Sequence, residues 1–539
     1  MKKYLIILIL ALAALLRFYK LGSYPAFNAD EAAIGYNAYS LIETGMDEHA
    51  NPWPIHFQSF NDYKPGFYFY LVTPFVRVLG LNEWAVRIPG ALIGVLSVFV
   101  VYLLVKELFK EEKYALASCL LLAISPWHIH FSRGGWEVNV STFLITLGVW
   151  FFVKGVRNQK YYLMSIISFV LSLYTYHAAR VVVPLLGLGL LVIYRKNVLK
   201  KIKPFMLACL VGLVLFIPLG KQLLGPAGIS RAAGVGLFAD PGPLNRINEQ
   251  RGEHDDFQGL IPELLHNKAV NYTLAFTDNW ARHFWGEFLF LTGDLIQRNK
   301  VPEMGEMYLF DILFLAVGFA IIVKSKRLDI KSKLVLLLWI VLAPTASALT
   351  FQSPHALRAH NMVIPLIIIS SLGLVETSSW LRKKNLKAGI WLIVALMIWL
   401  FARYEHLYWV HMTKEYPFSS QYGVKELITY VWENEQKYQN IVITDKYDQP
   451  YILFLFYLKY PPGEFQKNHE LTPKDQFGFS TVRSFDKYRF ITFGSWDEVR
   501  GSYPNSLIVG APGEIPREAN IVKRIYGMNG YEYFDIVAN

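Results

Sequence analysis

Eleven long apolar runs, separated by short polar breaks, leave this chain few ways to fold. Each run must close its backbone hydrogen bonds within a helix and face lipid or other helices. The runs are 4–19, 86–107, 113–131, 138–153, 161–177, 180–194, 204–219, 306–323, 334–350, 360–377 and 388–403. With 53% hydrophobic residues in 539, the expectation is an α-helical polytopic membrane protein of about eleven transmembrane helices. Lys2 and Lys3 before the first run also fit a signal peptide, with Ala11-Leu12-Ala13 imitating a cleavage site. A retained helix is preferred, because many spans follow.

A net charge of +11 could suggest a nucleic-acid partner, but its distribution argues otherwise. Basic residues crowd into six segments, 2–3, 106–113, 154–160, 195–203, 324–333 and 382–387. These hold 22 of the 53 Lys and Arg and 4 of the 42 Asp and Glu, so the rest of the chain is net acidic. That is the positive-inside pattern rather than a nucleic-acid footprint. All six segments share the cytoplasmic side only if 67–80 does not cross. It reads as a helix lying at the outer interface, with its Tyr and Phe at headgroup level. Cys119 and Cys209 both lie in apolar runs, so neither a disulfide framework nor a cysteine metal site is expected.

This topology divides the chain into a transmembrane domain, 1–403, and a C-terminal domain, 404–539. Five connections fall outside: the first loop 23–85, then 132–137, 176–180, 351–358 and the long loop 220–305. The long loop opens with Gly225, Pro226, Gly228, Gly234, Gly236, Pro241, Gly242 and Pro243, which suggests a mobile segment. From Pro262 to Phe290 it becomes aromatic and helix-like, as a second interfacial helix would be. The C-terminal domain alternates helix-like stretches, 421–438 and 449–459, with strand-like 441–444, 489–493, 506–510 and 520–525. It reads as a small α/β domain on the outer face.

The candidate chemistry gathers in those outer connections. In Phe27-Asn28-Ala29-Asp30-Glu31, Asn28 can cap a helix and Glu31 can complete a capping box. That explains Glu31 and leaves Asp30 without a structural reason. Lys64 precedes Pro65, which holds it in extended backbone; it also suits a plain headgroup-level lysine. Arg133, Arg180 and Arg358 stand at outer ends of spans, against the positive-inside bias. Three such arginines with Lys64 suggest a phosphate site, since a guanidinium fork matches phosphate oxygens. Glu137 adds a second carboxylate, unless it only pairs with Arg133. His128, His130, His177, His355 and His360 cluster near outer span ends. A divalent metal is conceivable there, but no ligand spacing is diagnostic, and structural or substrate hydrogen bonding is preferred.

These residues also carry a resemblance. Asp30-Glu31 after the first span, Tyr63-Lys64-Pro65 before an aromatic run, and Asn82-Glu83-Trp84-Ala85-Val86-Arg87-Ile88-Pro89 entering the next span are similar to positions of one family. Ser132-Arg133 with Glu137, His177 to Pro184, and Leu357-Arg358 extend the likeness. The family is that of the polyprenyl-phosphate-sugar-dependent membrane glycosyltransferases, which includes protein O-mannosyltransferases and the aminoarabinose transferase acting on lipid A. The resemblance implies a C-type glycosyltransferase fold, a polyprenyl-phosphate sugar donor, and inversion at the anomeric carbon. It puts the family's catalytic acid on Asp30, its Lys-Pro lysine on Lys64 and its second-loop acid on Glu137. Gly66, where one branch has a second proline, and Glu137, in place of a more usual aspartate, depart from the pattern.

The expected roles follow. Asp30 serves as general base, Glu31 orients the loop and Glu137 positions the acceptor. Lys64 with Arg133 or Arg358 meets the departing phosphate, and Arg180 and His355 bind donor. The acceptor is a glycan, lipid or protein, and the expected location is the inner membrane with the site on its extracytoplasmic side. The competing classes are a transporter or flippase of lipid-linked sugars and an oligosaccharide ligase or polymerase. Transporters place ionisable residues near mid-membrane, whereas these spans are almost free of charge.

Overall fold

The computed structural model describes residues 2–59, 62–225, 228, 234–416, 421–447, 449–474 and 480–539. Each apolar run is helical. Among the described residues, seven helices have the length and apolarity to cross a membrane. They are Glu83–Phe109, Glu137–Gly155, Ala179–Leu199, Ile202–Leu223, Ile330–Ala348, His360–Lys383 and Lys387–Glu415. Glu112–Ile124 and Pro126–Ser132 make an eighth if the pair, bent by 58°, is one span. Pro126 has no N–H to continue the first ladder, so the chain turns there. Tyr4–Phe18 and Lys160–Leu173 are shorter apolar helices, and Phe310–Lys324 has 15 residues. The chain is an integral membrane protein. Helix Phe67–Leu79 has 13 residues, about 20 Å at 1.5 Å per residue, and is too short for a hydrocarbon core of about 30 Å.

The chain forms two compact units. One gathers Met1–Arg17, Leu92–Ser132 and Glu137–Glu405; the other gathers Phe18–Ala91, Arg133–Trp136 and His406–Asn539. Within the first, Phe310–Lys324 lies directly against Val363–Lys383. A Cβ on Gly318 or Gly373 would overlap the carbonyl oxygens of Ile369 or Phe314, so only glycine lets these backbones approach so closely. The long loop contains helices Gly242–Gly252 and Lys268–Arg282. Pro226, part of its expected mobile opening, lies outside the described residues.

The second unit is built around helix Ala29–Thr44. Its N-terminus carries the full capping box: Glu31 N–H donates to Asn28 Oδ1 at 3.1 Å, and Asn28 N–H to Glu31 Oε2 at 3.3 Å. The ribbon β1 (His56–Ser59) and β2 (Asp62–Pro65) pairs Phe57 with Lys64. The C-terminal residues form a seven-stranded sheet in the order β4-β5-β6-β3-β7-β9-β8. Its strands are β3 (Asn440–Thr444), β4 (His469–Leu471), β5 (Val482–Phe485), β6 (Tyr488–Ile491), β7 (Ser506–Gly510), β8 (Ile521–Tyr526) and β9 (Glu532–Ala538). β3 runs parallel to both β6 and β7, and the remaining pairs are antiparallel. Helix Pro450–Leu458 packs against Ala29–Thr44. A Cβ on Gly35 would sit 2.5 Å from Phe456 and 2.8 Å from Val86, which shows how tightly that helix is held.

Candidate active site

The two neighbouring acids at the start of helix Ala29–Thr44 have opposite surroundings. Glu31 is 1% exposed and Arg87 is 0% exposed. Arg87 Nε and Nη2 donate to Glu31 Oε1 and Oε2 at 2.6 and 2.7 Å, a bidentate fork. Gly135 N–H adds a third bond to Oε1 at 2.8 Å. A Cβ at Gly135 would press on Val86 at 3.1 Å and on Glu31 itself at 3.3 Å. The rest of the guanidinium binds the carbonyls of Leu21 and Pro25 at 2.9 Å and of Ala26 at 3.3 Å. Glu31 therefore ties together three parts of the chain distant in sequence.

One residue earlier on the helix, Asp30 points elsewhere, as the 100° step of a helix requires. Its side chain is 26% exposed and pairs with Lys64, itself 13% exposed. Pro65 fixes the strand after Lys64, and the capping box fixes the helix start before Asp30. The pair thus sits between two rigid elements, with water access to its carboxylate.

Arg133 is buried, and its described bonds run to other parts of the protein. Nε donates to Tyr408 Oη at 3.0 Å, and Nη2 to the carbonyls of Tyr19 at 2.7 Å and Tyr24 at 3.2 Å. The guanidinium stacks 4.8 Å from the Trp409 ring.

A second acidic pair, Asp47-Glu48, gave no signal in the sequence. Asp47 closes a turn by accepting from the N–H groups of His49 and Asn51 at 2.9 and 2.8 Å. Glu48 N–H donates to Asn37 Oδ1 at 2.9 Å, and Tyr451 Oη donates to Glu48 Oε1 at 3.3 Å. Oε2 is buried without a hydrogen-bond partner among the described residues. Burial, and then the charge of Asp47, push the Glu48 carboxyl up to about 8. Burial and then His469 lower His49 to about 4.

A folded-state value above that of the unfolded chain favours the protonated acid. Its contribution is complete below about 4.5 and is lost as pH rises through about 8. Glu48→Gln is expected to leave the melting temperature nearly unchanged at pH 5. At pH 8 and above it should raise stability, by at most about 5 kcal/mol. Parallel melting curves that stay together across that range would contradict the burial effect.

Glu137, Arg180, His355 and Arg358 belong to the other unit. Glu137 is the first residue of helix Glu137–Gly155. Arg180 contacts His177 Nδ1 at 2.8 Å and the Leu173 carbonyl at 3.2 Å. Arg358 donates to Thr350 Oγ1 at 2.7 Å and Gln352 Oε1 at 3.2 Å. His355 Nδ1 lies 3.3 Å from Asp294 Oδ2, a partner that sequence reasoning missed. Asp294 also accepts from the N–H groups of Ala356 at 2.6 Å and Ile296 at 2.8 Å. Burial raises the Asp294 carboxyl, but these bonds and His355 outweigh it and hold it below the usual range. Of the other histidines, His128 meets Arg17, His130 meets the Arg298 carbonyl and His360 meets Thr142. Among the described residues, no group of three or more His, Cys, Asp or Glu is arranged to hold a metal ion.

Residues 63–220 match the dolichyl-phosphate-mannose-protein mannosyltransferase family. An uncharacterized protein of Aquifex aeolicus (strain VF5) is 28% identical over 186 residues, 34% of this chain and 36% of that protein. YycA of Bacillus subtilis (strain 168), provisionally named a mannosyltransferase, is 32% identical over 97 residues, 18% of this chain and 14% of its own. The chain thus spans well under two thirds of the relatives it matches. Among solved structures, ArnT from Cupriavidus metallidurans bound to undecaprenyl phosphate aligns with a TM-score of 0.56 at 12% identity. That alignment covers 98% of this chain and 97% of ArnT, and it shows a shared fold. Residues 63–220 are thus similar to a family of lipid-phosphate-sugar-dependent membrane glycosyltransferases, and the chain shares its fold with ArnT.

Proposed function

We propose that this protein is a membrane glycosyltransferase. It moves a sugar from a polyprenyl-phosphate carrier to an acceptor hydroxyl or amine, with inversion. The observation that carries the reading is the Asp30–Lys64 pair, a carboxylate open to solvent beside an ammonium on a rigid strand. In the reaction, Asp30 takes the proton of the incoming hydroxyl. The acceptor oxygen bonds to the anomeric carbon as the bond from that carbon to the phosphate oxygen breaks. The electron pair stays on the leaving phosphate, where Lys64 offsets the charge. The products are the glycoside and polyprenyl phosphate.

Glu31 is a positioning residue in this scheme. Arg133, Arg180, His355 and Arg358 are assigned to the donor, and Glu137 to the acceptor, on their sequence positions at outer span ends. The location is the inner membrane, and the six basic segments support its sidedness, with 23–85, 220–305 and 404–539 on the extracytoplasmic side. In this reading 1–403 is the catalytic domain and 404–539 an extracytoplasmic one.

Lys64→Met is expected to lower the rate of transfer by about 10²- to 10³-fold, since it removes one preorganised group from the leaving phosphate. Single-turnover measurements with donor saturating would show it. The function itself is tested by incubating purified protein with a panel of polyprenyl-phosphate sugars and following free carrier phosphate. Release of carrier supports transfer. A donor that crosses the bilayer of a proteoliposome chemically intact, with no carrier released, identifies a flippase and overturns the reading.

A further inference from the structure

The C-terminal sheet carries an open cavity of about 720 Å³ that the transfer chemistry does not use. Its lining includes Lys446, Tyr447, Tyr526, Asn529, Tyr531 and Glu532. Its place in the fold is informative. Lys446 and Tyr447 follow the carboxyl end of β3, and Pro512, also in the lining, follows that of β7. β3 and β7 are parallel neighbours, while the strand that precedes β7 in the chain, β6, pairs with the opposite edge of β3. The chain leaving β3 goes on to β4, β5 and β6 on one side, and the chain leaving β7 goes on to β8 and β9 on the other, so the two exits diverge. That divergence opens a crevice at the carboxyl ends of the strands, where open α/β sheets bind ligands. The β8–β9 hairpin supplies the other wall, with Tyr526 ending β8 and Glu532 opening β9.

The chemistry of the lining selects a ligand class. Tyr526 and Tyr531 are 49% and 66% exposed, an unusual outlay of aromatic surface at one rim. Tyr447 is set behind them, its ring 5.1 Å from Tyr533 and 5.2 Å from Phe534. One ammonium, one carboxylate and one amide stand among these rings. A phosphate would repel Glu532, and an apolar peptide would leave all three polar groups unmatched. A neutral sugar fits both halves of the lining. The C–H faces of its rings lie on tyrosine, and its hydroxyls bond to Asn529, Glu532 and Lys446.

The cavity is also joined to the helix of Asp30. Gln421 Nε2 donates to the Tyr447 carbonyl at 3.2 Å, and Gln421 Oε1 accepts from Ala29 N–H at 2.6 Å. One side chain thus connects the cavity wall to the residue before Asp30.

We infer that this cavity binds neutral glycan and that, given the transferase reading above, it holds sugar units of the acceptor. The test uses the full chain in nanodiscs and a panel of neutral di- to tetrasaccharides, with binding followed by saturation-transfer NMR and titration. At least one glycan should bind saturably. The Tyr526→Ala/Tyr531→Ala double variant should weaken that binding at least tenfold, and Trp432→Ala, an exposed aromatic elsewhere on the domain, should not. In transfer assays the same double variant should raise the acceptor KM and leave kcat at saturating acceptor within twofold. No saturable glycan binding, or binding equal in wild type and double variant, would overturn the site. Because binding is read without turnover, glycan binding lost in the double variant supports the site even where no carrier phosphate is ever released, a result that counts only against the transferase reading.

Discussion

Asp30→Asn is expected to reduce the single-turnover rate of sugar transfer by about 10³-fold or more, with the protein folded and still able to bind donor. The amide keeps the shape of the carboxylate but cannot accept the acceptor's proton, and a positioned general base contributes about 10²- to 10⁴-fold. The effect on stability is small by contrast. The Asp30 side chain is 26% exposed, and ion pairs open to water contribute about 0–1 kcal/mol. The separation is the diagnostic feature, a large loss of rate with a melting temperature near that of wild type. Turnover within tenfold of wild type would remove Asp30 from the role of base.

Arg87→Met should do the reverse, acting on the fold first. It strips the fork from Glu31 and leaves a carboxylate that is 1% exposed with only Gly135 N–H and the capping box. Removing one partner of a buried pair costs about 3–5 kcal/mol, because the remaining charge stays out of water. The carbonyls of Leu21, Pro25 and Ala26 lose their donor as well. The double variant Glu31→Gln/Arg87→Met should recover part of the loss, since no uncompensated charge remains. Thermal melts of the two singles and the double in the same detergent give the coupling directly. A single variant that melts with wild type would show that this pair does not hold the first loop.

The sequence made some of this arrangement legible and concealed the rest for identifiable reasons. The apolar runs are a local signal, and every one of them is helical. Among the described residues, however, only seven helices, or eight counting the bent pair, have the length and apolarity to span, against the eleven runs. The capping box is also local, and it gives Glu31 the structural task that its bonds with Asn28 show. What sequence could not supply were partners far along the chain. Arg87 stood in a recognised motif, but its pairing with Glu31 spans 56 positions. Gln421 bridges to Ala29 across 392, and Asp294 reaches His355 from a loop with no distinctive spacing. Glu48 is notable only because it is buried, which an acid in a polar loop does not advertise. In the C-terminal domain, β9 was missed because its middle residues are buried on both faces, which erases the alternation that marks a half-buried strand. β4 and β5, of 3 and 4 residues, are too short to show any period.

The most direct measurement is the anomeric configuration of the glycoside formed from a donor of known configuration, read by NMR on the isolated product. A single displacement with Asp30 as base inverts that centre, and one inverted glycosidic bond is expected for each polyprenyl phosphate released. Retention of the donor's configuration would mean that a carboxylate attacks the sugar and forms a covalent intermediate. That result would contradict Asp30 as a base and Lys64 as the partner of a phosphate departing in the same step.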